Sequence, residues 1–173
     1  GAATDTGDAQ GTVVRSAEGP PLAPTRIREI LRSLEGERSQ RPHAFSAVKI
    51  EGKPAYWYAR RGLPVSTTPR KIRIGRFHLV SLEGASLGFS LDCSSGTYVR
   101  VLAEEVGEAL SCPAHLARLR RERIGPFSIR QAASLQGWLE LTFDRARERF
   151  FPESEISQAV GMGEAKFSVE GFS

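Results

Sequence analysis

The chain has 173 residues, about 40% of them apolar and 25% charged, with a formal net charge of +4. That content excludes a disordered tail, and the length fits one domain or one domain with a small appendage. No apolar run approaches the roughly 18 residues a membrane helix needs. Gly1-Ala2-Ala3-Thr4-Asp5 lacks the basic start and apolar centre of a signal peptide, so a cytoplasmic protein away from membranes is expected. Cys93 and Cys112, the only cysteines, lack metal spacing and sit in apolar or Gly/Pro contexts. Two buried thiols are expected, with neither a metal site nor a disulfide.

In chain order, TDTGDAQGTVV at the start reads as a polar loop running into a strand, which the Pro-rich connector 19–24 ends. Ile27, Ile30, Leu31 and Leu34 then recur at i, i+3, i+4 and i+7, one face of an amphipathic helix, with Gly36 placed to stop it. Residues 37–70 are rich in basic and aromatic side chains without sustained period, as expected of a long ordered excursion or a loosely packed hairpin. From Lys71 to Val80 alternation returns, its phase switching near Gly75 as at a bulge. Ser81-Leu82-Glu83-Gly84 turns the chain into a partner strand bearing Phe89, Leu91 and Cys93, so 71–93 predicts a hairpin.

Ser94-Ser95-Gly96-Thr97 offers hydroxyls suited to an N-cap, and Val99, Leu102, Val106 and Leu110 mark a helix that Cys112-Pro113 ends. A strand is predicted over 114–121, a helix over 137–149 and short strands over 159–173. The mixed order indicates an α+β domain on a mostly antiparallel sheet with flanking helices.

Charge is unevenly spread. Residues 26–76 carry thirteen Lys/Arg against four Asp/Glu and residues 118–130 five against one, while the other segments are acidic. Concentrated cations with aromatics nearby are the footprint of a polyanion site, because contacts to phosphates release counterions. A solvated basic surface is the competing reading.

Four constellations could carry chemistry. In Thr4–Gly11, Asp5 and Asp8 could bind a cation, accept bonds from ribose or base groups, or simply form an Asx-turn. In 41–61, Lys49, Lys53, Arg60 and Arg61 interleave with Phe45, Tyr56, Trp57 and Tyr58. That pattern suits single-stranded or loop RNA, whose bases stack on aromatic faces, but equally an amphipathic helix over 54–61 with Tyr56 and Ala59 packed inward. At 93–100, small residues open a helix whose first turn presents Tyr98 and Arg100. The arginine could grip a carboxylate or phosphate, or serve as an ordinary surface ion-pair partner. In 114–127, alternation puts Arg118 and Arg120 on one side of a strand, with His115 and Arg121 on the other. Such a strand either faces RNA or is an edge guarded by charge.

Together and in this order, these blocks resemble the TruB family of tRNA pseudouridine synthases. TDTGDAQG is similar to its TDTxDxxG segment, and RPHAFSAVKIEGKPAYWYARRG to its QxPPxYSAxKxxGxxxYxxARxG segment. CSSGTYVRVLAEEVGEALSCPAHLARLRRERIGPF is similar to its CSxGTYIRxLxxDLGxxLGxxAHxxxLRRxxxGxF block. The likeness covers roughly residues 1–128, and His43-Ala44-Phe45 stands where Pro-x-Tyr is usual.

The resemblance implies a monomeric, cofactor-free enzyme that flips the T-loop uridine of tRNA out of its loop and isomerises it to pseudouridine. It implies that Arg100 orients the nucleophilic aspartate, that Tyr98 flanks the pocket, and that Asp8, Leu119 and Phe45 contact the flipped nucleotide. Lys49, Lys53, Arg60, Arg61, His115, Arg120 and Arg121 are then RNA-binding residues, and 37–70 is a thumb-like insertion over the T-arm. The family's nucleophile lies in a GxLDPxAxG segment upstream of the TDT loop, which these residues do not include. The expectation is a partial pseudouridine synthase core over 1–135, inactive alone. Residues 136–173 are expected to be a C-terminal helix and the remnant of a β-rich PUA-like appendage, with residues missing near 155–160. The alternative is a non-catalytic module that binds tRNA or assists its folding.

Overall fold

A computed structural model of the chain describes residues 1–147, Phe150, Ser154 and Ile156, and the backbone of Glu164–Val169. The chain opens with a short hairpin, β1 (Ala2–Thr4) and β2 (Val13–Ser16), whose connecting loop is the TDTGDAQG segment. Helix α1 (Pro24–Ser33) starts with proline in its first turn, where the missing N–H costs nothing. It buries Ile27, Ile30 and Leu31, as their spacing predicted.

Gly36 opens β3 (Gly36–Gln40), which pairs antiparallel with β6 (Arg70–Glu83). The excursion between them therefore starts after Gln40, later than the 37 expected. GERSQ shows no alternation of hydrophobicity because it is an edge strand whose polar side chains largely face water. The excursion holds a two-residue ladder, β4 (Lys49–Ile50) with β5 (Lys53–Pro54), and the single-turn helix α2 (Ala55–Ala59). Ala55 is the buried residue of α2, whereas Tyr56 is 40% exposed, so the inward-packing expectation fails for that ring.

β6 pairs with β7 (Ser86–Ser94) as the predicted hairpin, turning at Gly84-Ala85, slightly later than expected. Its register slips between Ile74 and Phe77, at the place where the phase of the pattern switched. Gly75 sits there because an added Cβ would come within 3.3 Å of Asp92. The Phe77 N–H donates to Glu35 Oε1 at 2.8 Å.

Helix α3 (Val99–Ala109) buries Val99, Leu102, Ala103 and Val106. These meet α1 and the inner sides of Ile72, Ile74, Phe77, Leu87, Phe89, Leu91 and Cys93 in one apolar core, with Phe77 edge-on to Phe89 at 4.8 Å. Both helices pack on the same body of the sheet, and each fully buried Leu, Ile or Phe contributes about 1.5–3 kcal/mol.

The strand expected over 114–121 is displaced. The regular strand is β8 (Arg120–Ile124), paired with β9 (Phe127–Ser128), whereas Leu116 makes one isolated parallel bridge to Asp8. A 3-10 turn follows at Ile129–Gln131, and in place of one helix over 137–149 there are two short ones, α4 (Leu135–Leu139) and α5 (Phe143–Arg147). Residues 148 and 149 lie outside the described residues.

β10 (Glu164–Val169) lies between β7 and β8, antiparallel to both, giving the six-stranded order β3-β6-β7-β10-β8-β9. This segment therefore belongs to the central sheet and not to an appended sheet of its own. The rest of 159–173, and most of the expected gap at 155–160, lie outside the described residues. The observed class is the expected one, helices on a mainly antiparallel sheet. Among the described residues no helix is long and apolar enough to cross a membrane.

Candidate functional site

The Thr4–Gly11 loop is built by its own short side chains. Thr4 Oγ1 donates to the Asp8 carbonyl at 2.7 Å, and the Thr12 N–H donates to Asp5 Oδ1 at 2.8 Å. Asp8 Oδ1 receives Thr6 Oγ1 at 2.8 Å and the Gln10 N–H at 3.1 Å, an Asx-turn as one reading of the sequence held. The loop is anchored on Leu116, where the Ala9 N–H donates to the Leu116 carbonyl and the Leu116 N–H to that of Gly7.

Arg100 joins this loop to the excursion. Nη1 donates to Asp8 Oδ2 at 2.8 Å and to the Thr6 carbonyl at 2.9 Å, while Nη2 donates to the Phe45 carbonyl at 2.8 Å. Within these residues the carboxylate that Arg100 grips is thus Asp8, one of the residues assigned separately to nucleotide contact. Partial burial alone would raise the Asp8 carboxyl. The bonds from Thr6 and Gln10 and the guanidinium of Arg100 outweigh it and hold the group below the usual carboxylate range.

A second residue of α3 reaches the same place. Glu104, one turn beyond Arg100, has Oε1 at 3.6 Å from His43 Nε2, and His43 Nδ1 accepts the Phe45 N–H at 3.1 Å. Gly7 lies under this pair with φ +70, and a Cβ there would stand 2.9 Å from Glu104 Oε1. The positive φ favours glycine there, whereas the Glu104 carboxylate could give way.

The start of α3 is held from β3. The Tyr98 N–H donates to Gln40 Oε1 at 2.8 Å, and Gln40 Nε2 donates to the Tyr98 carbonyl at 3.1 Å. Gln40 is 2% exposed, and the hydroxyl cap expected from 94–97 is not made: among the described residues no side chain caps the first turn of α3. Thr97 Oγ1 donates instead to the Ser94 carbonyl. Tyr98 is half-buried beside this junction.

Lys49, Lys53, Arg60 and Arg61 are all exposed along 49–61. Lys53 Nζ and Arg61 Cζ each stand 3.8 Å from the Trp57 ring centroid, and Arg60 lies 5.3 Å from that of Tyr56. The expected aromatic faces are therefore engaged by the chain's own cations. Tyr58 sets its ring edge-on to Trp57 and bonds the Ile50 carbonyl.

Across the site Leu119 is 47% exposed, and Arg118, Arg120 and Arg121 are exposed. His115 is different. It is 8% exposed with Nδ1 at 2.8 Å from the Ala2 carbonyl, so it pins β1 instead of facing solvent beside Arg121. The alternation argument fails there because 114–119 is not regular strand.

Of the expected residues, then, Asp8, Arg100 and Phe45 are brought into direct contact and Tyr98 adjoins them. Lys49, Lys53, Arg60, Arg61, Arg120 and Arg121 form exposed basic ground, and His115 is withdrawn into the structure. Sequence reading missed Gln40, Glu104 and the backbone carbonyls of Thr6 and Phe45. Of these, Glu104 alone carried a signal, since an acid at i+4 from Arg100 lies on the same helix face. Burial pushes the Cys93 thiol up, which disfavours a reactive thiolate.

Residues 1–99 match the family TruB family pseudouridylate synthase (N terminal domain). The chain is 46% identical over 137 residues to a tRNA pseudouridine synthase B of Aromatoleum aromaticum, covering 78% of this chain and 44% of that protein. It is 40% identical over 148 residues to the tRNA pseudouridine synthase B of Bordetella avium, covering 84% and 61% respectively. The one from Mycobacterium ulcerans is 40% identical over 176 residues, covering 94% of this chain and 58% of its own length. The chain spans about half the length of the curated relatives it matches.

Proposed function

The chain belongs to the TruB family of pseudouridylate synthases, and from that premise we propose that it is the RNA-binding and active-site-flanking part of a tRNA pseudouridine synthase. Its substrate is the uridine of the T-loop. The base is flipped out of the loop, its glycosidic bond to N1 breaks, the uracil turns, and C5 bonds to the ribose while the C5 proton is lost. Extrusion costs a few kcal/mol, offset by stacking and polar contacts in the pocket. No cofactor enters the reading.

The observation that carries it is the convergence on Arg100 of the Thr6–Asp8 loop and the Phe45 segment. Three motifs distant in sequence are drawn together by one guanidinium, two residues along α3 from the half-buried Tyr98. Lys49, Lys53, Arg60, Arg61 and Arg120 supply cations for the RNA backbone, and 41–70 is the part that closes on the T-arm. Fixing phosphates in this way sets register and orientation but carries no base information. The nucleophilic carboxylate belongs to the GxLDPxAxG segment, which is not among these residues. The role proposed for these residues is to bind and orient the RNA.

Tritium release from 5-tritiated uridine in a T-arm RNA tests the reading in the natural polypeptide that carries these residues. Turnover by the wild type, with a loss of about a hundredfold in Arg100→Ala, is expected from misplacing the site by an ångström or so. RNA binding without any tritium release would favour the non-catalytic module. Unchanged turnover in Arg100→Ala would remove the arginine from the machinery.

A further inference from the structure

Both peptide groups of Phe45 are held from α3, by different means. Its carbonyl accepts Arg100 Nη2 at 2.8 Å, and its N–H donates to His43 Nδ1 at 3.1 Å. A ring nitrogen that accepts carries no proton, so in this arrangement His43 is the neutral tautomer with its hydrogen on Nε2. Nε2 faces Glu104 Oε1 at 3.6 Å, and a carboxylate there favours a hydrogen on that nitrogen. Arg100 and Glu104 stand four residues apart, one helical turn, so a single rigid helix addresses both ends of one residue. The His43 and Glu104 side chains are 13% and 30% exposed, sheltered enough for the geometry to be specific.

We propose that Glu104 and His43 are positioning residues which, with Arg100, fix Phe45 for contact with the RNA. The role toward RNA rests on the function proposed above. The Glu104 carboxylate at 3.6 Å favours the hydrogen on Nε2 and so leaves Nδ1 as the acceptor for Phe45.

The bond from Phe45 to His43 spans two residues, the reach of an Asx-turn, so asparagine at 43 can supply an acceptor of its own. That gives the test. Protection of the Phe45 amide against hydrogen exchange is measured under one set of conditions in the natural polypeptide, for wild type, H43A, H43N and E104Q. One net hydrogen bond corresponds to roughly a threefold to tenfold change in protection. H43A should lose that much relative to wild type, and H43N should keep it. E104Q should fall between wild type and H43A. Equal protection in wild type and H43A, or a loss in H43N as large as in H43A, would overturn the proposal.

The KM for T-arm RNA should rise in step with lost protection while kcat holds. A KM indifferent to H43A would refute the positioning role. If wild type neither binds nor converts T-arm RNA, the parent reading fails, and the exchange pattern still decides the contact at Phe45.

Discussion

Removing Arg100 is the perturbation with the most calculable outcome. Its guanidinium makes three hydrogen bonds, to Asp8 Oδ2 and to the carbonyls of Thr6 and Phe45. Bonds with one charged partner are worth about 1.5–3 kcal/mol when shielded from water. The side chains of Arg100 and Asp8 are 24% and 30% exposed, so water takes up part of what is lost. Arg100→Ala should therefore lower the unfolding free energy by about 2–4 kcal/mol, less than the sum of three shielded bonds. Asp8→Ala should cost a similar amount, since it also strands Thr6 Oγ1 and the Gln10 N–H. Because one bond is common to both, the double variant should cost less than the two added together, with a coupling of about 1–2 kcal/mol. Urea unfolding at pH 7, with midpoint and slope fitted separately, measures all four corners of the cycle. If the single costs add within about 0.5 kcal/mol, the Arg100–Asp8 pair does not hold the loop and the argument built on it collapses.

Two further outcomes are expected. Acidification should act oppositely through two carboxylates. Asp8 is held low in the fold, so its stabilising contribution is present above its unfolded pKa and is lost as pH falls through its folded value. Glu105 is held high by burial, with Glu108 and Glu104 adding to that shift and Arg38 at 2.8 Å opposing it, so its ionised form costs stability that falling pH relieves. Stability profiles of Asp8→Asn and Glu105→Gln should thus converge on wild type at low pH from opposite sides, and parallel profiles would contradict both assignments. Gln40→Ala should cost about 1–3 kcal/mol by leaving the Tyr98 N–H unpaired at a part-buried junction, while the Tyr98 carbonyl keeps its bonds from the Val101 and Leu102 N–H groups. A cost below about 0.5 kcal/mol would mean that water replaces the amide freely.

Where the physics is local, the sequence was readable. Ile27, Ile30 and Leu31 turn inward because helical spacing leaves them no other face. The pattern slip at Gly75 corresponds to a register shift, since one extra residue there keeps Phe77 on the same buried face as Ile72 and Ile74. Where the physics is non-local it was not. GERSQ pairs with β6 through its backbone, which leaves no trace in side-chain pattern. Gln40 is buried because it meets Tyr98, 58 positions away, and His115 is buried because it meets Ala2, 113 positions away. Likewise the identities of Asp8 and Arg100 were informative separately, but nothing in either motif says that the two side chains meet.

The buried side chains of α3, Val99, Leu102, Ala103 and Val106, share the helix with Arg100 and Glu104. Core and site are thus two sides of one lever. A side chain stands roughly 5–6 Å from the helix axis, so rolling α3 by about 10° to fill a cavity would swing the guanidinium by roughly 1 Å. That is more than a hydrogen bond tolerates, and two loops would follow it. Evolution cannot retune the packing under this helix without also re-aiming what it carries.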